Sequence, residues 1–214
     1  MTEPLALNLQ TRPLRLGDVA PNFRARTTMG DMSLEDYRGR WLLFFSHPAD
    51  FTPVCTSEFV GLAKAADRFG AMNCALLGLS VDSLFSHLAW VRAIRDAFGI
   101  VIPFPVVEDP SMAVGRAYGM IDADASDASA VRATYFIDPA GVIQAMTWYP
   151  MNVGRSVEEM IRMLAALQRT YGQDVLTPEG WQPGDDLLMP PGQVQDAVMG
   201  ETGADWFYRT KRDE

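Results

Sequence analysis

The chain has 214 residues, 48% of them apolar, which is enough to bury a sizeable core and build one domain with a smaller appendage. Its 27 acidic and 18 basic residues leave a formal net charge of −9. That balance favours solubility and argues against nucleic acid or an anionic membrane as a partner.

Residues 1–10 carry Glu3 and no basic residue ahead of their apolar positions, so they lack the basic start of a secretory signal. The longest apolar run, 41–45, is too short to span a bilayer. A cytoplasmic protein is expected. Two cysteines, Cys55 and Cys74, and two histidines, His47 and His87, suit neither a secreted disulfide scaffold nor a zinc-site spacing. No metal or other cofactor is expected.

Residues 18–37 are punctuated by Pro21 and Gly30, and short extended pieces are expected between them. The run 41–46 is continuously apolar up to Ser46, as in a central strand buried on both faces, and 75–81 repeats that pattern. Between them Phe59, Leu62, Ala63, Ala66 and Phe69 recur at helical spacing. A second helix is predicted over 83–98, stopped by Gly99. Strand, helix, strand, helix predicts a βαβ unit with parallel strands. Residues 134–137 and 142–146, joined by Asp138-Pro139-Ala140-Gly141, read as a hairpin. A last helix starts at Ser156, with Glu159 completing a capping box.

A βαβ unit followed by a hairpin and a helix is an α/β layout of the thioredoxin-like kind. Beyond Gly172 the chain is rich in Pro and Gly, which leaves no room for long helices. The expected organisation is a thioredoxin-like domain over 1–171 and a mostly irregular C-terminal arm over 172–214.

The segment 46–58 joins a buried strand to a helix. Thr52 suits an N-cap and Pro53 the first helical position, which places Cys55 in the first turn. Its sulfur is then expected near unpaired backbone N–H groups and the positive end of the helix dipole, which favour a thiolate, the nucleophilic form. By position alone, a small buried apolar cysteine is the commoner reading.

The pattern Pro48-x-x-x-Thr52-x-x-Cys55 resembles the signature of the peroxiredoxins. The longer string from Phe45 to Glu58 is similar to their Prx6, or one-cysteine, branch of the AhpC/TSA family. Residues 17–23, 79–90, 131–139 and the arm's 177–191 carry the same resemblance, which thus covers nearly the whole chain.

The resemblance implies a thiol-specific peroxidase acting on hydrogen peroxide and organic hydroperoxides. Cys55 would be the peroxidatic nucleophile and Thr52 would hold a peroxide oxygen. Pro48 would shield the sulfur, and Arg132 would bind substrate and stabilise the thiolate. Arg155 would buttress the site. His47, characteristic of the branch, would hydrogen-bond near Cys55 or take part in the oxidised state. Glu58 is open between orienting Arg132 or His47 and standing exposed in the first turn. His87 and Trp90 share a helix face and read as packing or subunit contact.

Some relatives carry two further cysteines in the arm, and this chain has none. The partners implied are therefore a peroxide and an external thiol reductant (thioredoxin, glutaredoxin or a low-molecular-weight thiol), with Cys74 left open as an internal alternative. The assembly implied is a homodimer that can close into a decamer. No Gly-x-Ser-x-Gly occurs, so a lipase activity is not carried over. Two other readings stay open: a thiol–disulfide oxidoreductase, which normally needs Cys-x-x-Cys where position 52 is Thr, and a redox-responsive holdase or peroxide sensor.

Overall fold

The computed structural model describes residues 12–121, 131–200 and 206–213. The reading of 1–10, and of 203–205 in the arm, falls outside them. The chain groups into two compact units, Met1–Val157 and Glu158–Glu214.

The first unit is built on a central strand, β3 (Trp41–Ser46), in which every residue is buried. β3 runs parallel to β4 (Cys74–Ser80), with Trp41 opposite Cys74 and Ser46 opposite Leu79. On its other side it pairs antiparallel with β6 (Arg132–Ile137). The remaining strands are β1 (Arg24–Thr27), β2 (Gly30–Ser33), β5 (Val106–Glu108) and β7 (Ile143–Tyr149). Among the described residues they form one seven-stranded sheet in the order β2-β1-β5-β4-β3-β6-β7. Helices α1 (Pro53–Ala71) and α2 (Leu84–Phe98) provide the crossovers of the predicted βαβ unit. A one-turn helix, α3 (Ala113–Ala117), follows β5.

The alternation of a strand explains the two cores. Phe44 points to one face, against Phe23, Tyr118 and Tyr135. Phe45 points to the other, against Phe59 of α1 and Phe104. β4 begins one residue earlier than 75, β6 two residues earlier than 134, and β7 runs from 143 to 149 rather than from 142 to 146. The hairpin turn is fixed by Asp138, whose carboxylate accepts from Val142 N, and by Gly141 at φ 79°. Only glycine occupies that region freely, and any Cβ there would collide with the Arg38 guanidinium. Gly99 ends α2 in the left-handed conformation, as the sequence predicted. β5 and α3 were not foreseen, because three and five residues are too short to show a period.

The second unit holds α4 (Val157–Thr170) from its second residue on, and α4 turns Ala165 and Ala166 toward Val175, Trp181 and Leu187. Strands β8 (Leu187–Met189) and β9 (Arg209–Lys211) pair antiparallel, and a short helix, α5 (Gln195–Met199), lies between them. Elements of this length suit a Pro/Gly-rich composition.

Candidate active site

The site forms where β3 hands over to α1. Ser46 Oγ donates to Val131 O and accepts from Ala133 N, which staples the end of β3 to the start of β6 beside Arg132. His47 and Pro48 are buried, and Phe51 takes φ 57°, a left-handed value that is strained for a bulky residue. Thr52 then occupies the N-cap position in an extended conformation, with Pro53 opening the helix. Cys55 is the third helical residue and is fully buried.

Thr52 is not the hydroxyl cap that its position suggested. Its side chain makes no capping bond and donates instead to Ala49 O at 2.9 Å. The hydroxyl hydrogen is therefore committed inward to the turn, and the oxygen retains its lone pairs for another donor.

Two arginines converge on one carboxylate below the sulfur. Arg132, the first residue of β6, places Nη1 3.3 Å from Cys55 Sγ and 2.9 Å from Glu58 Oε2. Its Nε and Nη2 both donate to Met151 O, at 2.9 and 2.7 Å, so the guanidinium plane is fixed at both ends. Arg155 grips Glu58 through its backbone N, Nε and Nη2 at 2.8 to 3.0 Å. Its Nη1 reaches Ala133 O and Thr134 Oγ1. Glu58 is 4% exposed. Burial pushes its carboxyl up, but the Arg155 hydrogen bonds, with the Arg132 charge, outweigh this and hold it below the ordinary value. Glu58 is thus a buried carboxylate, not an exposed one. Once the sulfur is a thiolate, two anions face two cations, and a charge-balanced cluster is the form an apolar interior tolerates.

His47 lies apart from this cluster. It hydrogen-bonds neither Cys55 nor Glu58, and its Nε2 is 2.9 Å from Asp50 Oδ1. His87 and Trp90 are both fully buried packing residues, the expected face of α2. His87 also bonds Asp50, and Trp90 Nε1 donates to Thr56 Oγ1. Sequence reasoning missed Asp50 altogether. The signal for Glu58 was present, since it stands three residues after Cys55 and shares its helix face.

Cys74 begins β4 opposite Trp41, whereas Cys55 lies beyond Ser46 at the far end of β3. A strand of this length spans roughly 16 Å at about 3.3 Å per residue, well past the Cα–Cα limit of about 7 Å for a disulfide. Cys74 therefore cannot resolve an oxidised Cys55 in this fold. Burial also pushes its thiol up to about 12.

A buried thiol in the first turn of a helix, met by a fixed guanidinium on a parallel-core α/β sheet, defines a protein of the reactive-cysteine class with a thioredoxin-like fold. Comparison with known proteins gives its family. The model of the AhpC/TSA family matches residues 16–146. A peroxiredoxin of Methanosarcina mazei is 43% identical over 92% of this chain and 97% of its own. One of Aquifex aeolicus is 44% identical over 92% and 96%. Among solved structures, a yeast mitochondrial 1-Cys peroxiredoxin superposes with a TM-score of 0.84 at 37% identity, covering 94% of this chain and all of that one. The peroxiredoxin 6 of Arenicola marina gives 0.78 at 31% identity, covering 86% and 87%. The chain belongs to the AhpC/TSA family, as a peroxiredoxin. This supports a peroxide-reducing thiol peroxidase with an antioxidant role.

Proposed function

We propose that the protein reduces hydrogen peroxide and organic hydroperoxides through Cys55 alone and is returned to its thiol by an external reductant. The observation that carries this reading is the 3.3 Å approach of Arg132 Nη1 to Cys55 Sγ. A guanidinium there stabilises negative charge on the sulfur and on the oxygens that separate in the transition state.

The thiolate attacks one peroxide oxygen, an S–O bond forms and the O–O bond breaks. Sulfur is oxidised to the sulfenic acid, and the departing hydroxide or alkoxide takes a proton. In this reading Arg132 and Thr52 bind the peroxide, Pro48 limits water, and Arg155 keeps Glu58, and hence Arg132, in place. A first external thiol condenses with the sulfenic acid to give a mixed disulfide and water. A second thiol releases Cys55 and leaves as the oxidised donor. Thioredoxin, glutaredoxin and small thiols all fit that role. The arm has no cysteine and Cys74 stands at the wrong end of the strand pair, which favours an external donor. We also infer a cytoplasmic protein that works as a homodimer, able to close into a decamer. The yeast relative described as 1-Cys supports the single-cysteine cycle.

The test is intact mass spectrometry after one equivalent of hydrogen peroxide, followed by a thiol chase. The expected product gains one oxygen atom at Cys55 and loses it on reduction, and Cys55→Ser neither gains it nor consumes peroxide. A Cys55–Cys74 disulfide, or full activity in Cys55→Ser, would overturn the reading.

A further inference from the structure

Beside the reactive loop lie three buried polar side chains that have no part in the peroxide steps proposed above: His47, Asp50 and His87. Asp50 accepts from His47 Nε2 at 2.9 Å and from His87 Nδ1 at 2.8 Å. The second nitrogen of His87, Nε2, is 3.2 Å from the Val107 carbonyl oxygen.

Donor chemistry fixes the hydrogens. A carbonyl oxygen only accepts, so His87 Nε2 carries a hydrogen. Asp50 is a carboxylate: burial pushes its carboxyl up, but the hydrogen bonds from both histidines outweigh this and hold it far below the usual range. A carboxylate also only accepts, so His87 Nδ1 carries a hydrogen too. Both ring nitrogens of His87 therefore face acceptors, and the neighbouring His47 ring packs against Phe59 and Trp90. His47 differs. Its Nε2–H faces Asp50, its Nδ1 has no partner, and burial disfavours a second proton. The other ionisable groups around the pair are Asp82, before α2, and Glu108 of β5, which is itself paired with Arg26.

Asp50 sits inside the turn from which α1 starts. Its backbone N donates to Asp82, and the neighbouring Ala49 carbonyl takes the Thr52 hydroxyl. The turn also holds Phe51 at a strained φ, a conformation that persists only where its surroundings impose it. Resting on the peroxidase reading, we propose that His87 is a positioning residue of the Cys55 site: its imidazolium holds Asp50, and Asp50 holds the turn that sets Thr52 and the start of α1. Two imidazoles and a carboxylate are also a metal-ligand set, but here direct N···O contacts of hydrogen-bond length join them.

The experiment uses the full chain labelled with 15N-histidine, which reports two rings only. The expected spectrum shows one ring protonated at both nitrogens, which vanishes in His87→Gln, and one ring with a single N–H. The rate of Cys55 oxidation by hydrogen peroxide is then followed in wild type, His87→Gln, Asp50→Asn and the double variant. Each single change is expected to slow oxidation about tenfold or more through misplacement of the turn. The double variant, which leaves no uncompensated charge, is expected to be faster than either single one.

A neutral His87 ring, or a wild-type oxidation rate in His87→Gln, overturns the inference and leaves the peroxidase reading standing. One equivalent of zinc that survives dialysis against a chelator and replaces the N–H signals overturns it as well. If a single variant loses its near-ultraviolet circular dichroism, the wild-type spectrum and the folded double variant decide. A wild-type protein inert to peroxide would instead sink the peroxidase reading and the inference with it.

Discussion

The two cysteines occupy opposite ends of the same parallel strand pair, and their surroundings make them chemically unlike. Both are buried. Cys55 stands past the C-terminal end of β3, in the first turn of a helix, with a guanidinium 3.3 Å from its sulfur. Cys74 stands at the N-terminal end of β4, donates weakly to Ala75 O, and has its thiol pushed up to about 12 by burial. Burial by itself silences a thiol; burial beside a fixed cation, with a second cation and a carboxylate to complete the balance, equips one to react. The ends differ because side-chain cations from β6 and the β7–α4 segment converge only where β3 stops.

The comparison breaks most visibly if the cation is removed. Arg132→Met is expected to slow oxidation of Cys55 by hydrogen peroxide roughly 100- to 1,000-fold, the usual cost of losing one preorganised donor. Stopped-flow fluorescence would measure it, and a rate within a few-fold of wild type would show that Cys55 needs no guanidinium.

Glu58→Gln should follow in size. It leaves two buried arginines without their carboxylate, and a loss of about 3 to 5 kcal/mol in stability is expected from urea denaturation. Activity should fall as well, because Arg132 loses one of its anchors. A variant as stable as wild type would mean that Met151 O and the β6 carbonyls suffice.

The same carboxylate gives a pH signature. Glu58 is held below its ordinary value of 4.5 in the fold. The unfolded chain therefore binds the proton first as pH falls, and the stability that Glu58 contributes is present above about 4.5 and lost below it. At the other end the sign reverses. Cys74 rises from 9.0 to about 12 on folding, so its contribution is present below 9.0 and lost as pH climbs toward 12. Urea midpoints across pH in Glu58→Gln and Cys74→Ala should each flatten one limb. A limb that persists unchanged in its variant would reassign the titration.

The smallest effect should come from Cys74→Ala. Activity is expected to stay at the wild-type level, with a stability loss of about 1 kcal/mol from the atom removed. Iodoacetamide should label Cys55 in the native protein and spare Cys74 until it unfolds. Equal labelling of both would erase the contrast.

Much of this was legible in the sequence, and the reason is local. The buried run through Phe44 and Phe45, Pro53 at the helix start, Gly99 at a helix end and the Asp138-to-Gly141 turn each state their structure within a few residues. Those signals placed Cys55 at a helix N-terminus between two strands. Thr52 shows the limit: its place at the N-cap was readable, but its hydroxyl turned to Ala49 because the strained turn brings that carbonyl within reach. The resemblance named Arg132 and Arg155, and the structure brings both to Glu58.

What only the tertiary structure decided is the set of contacts between residues far apart in the chain. Cys55 and Arg132 are 77 positions apart, Glu58 and Arg155 97, Asp50 and His87 37. No period of two or 3.6 residues reaches across such gaps. The sheet order β4-β3-β6 closes them, and in doing so it separates the two thiols. The sequence determined that one cysteine would begin a helix; the packing around β3 decided which charges would meet it.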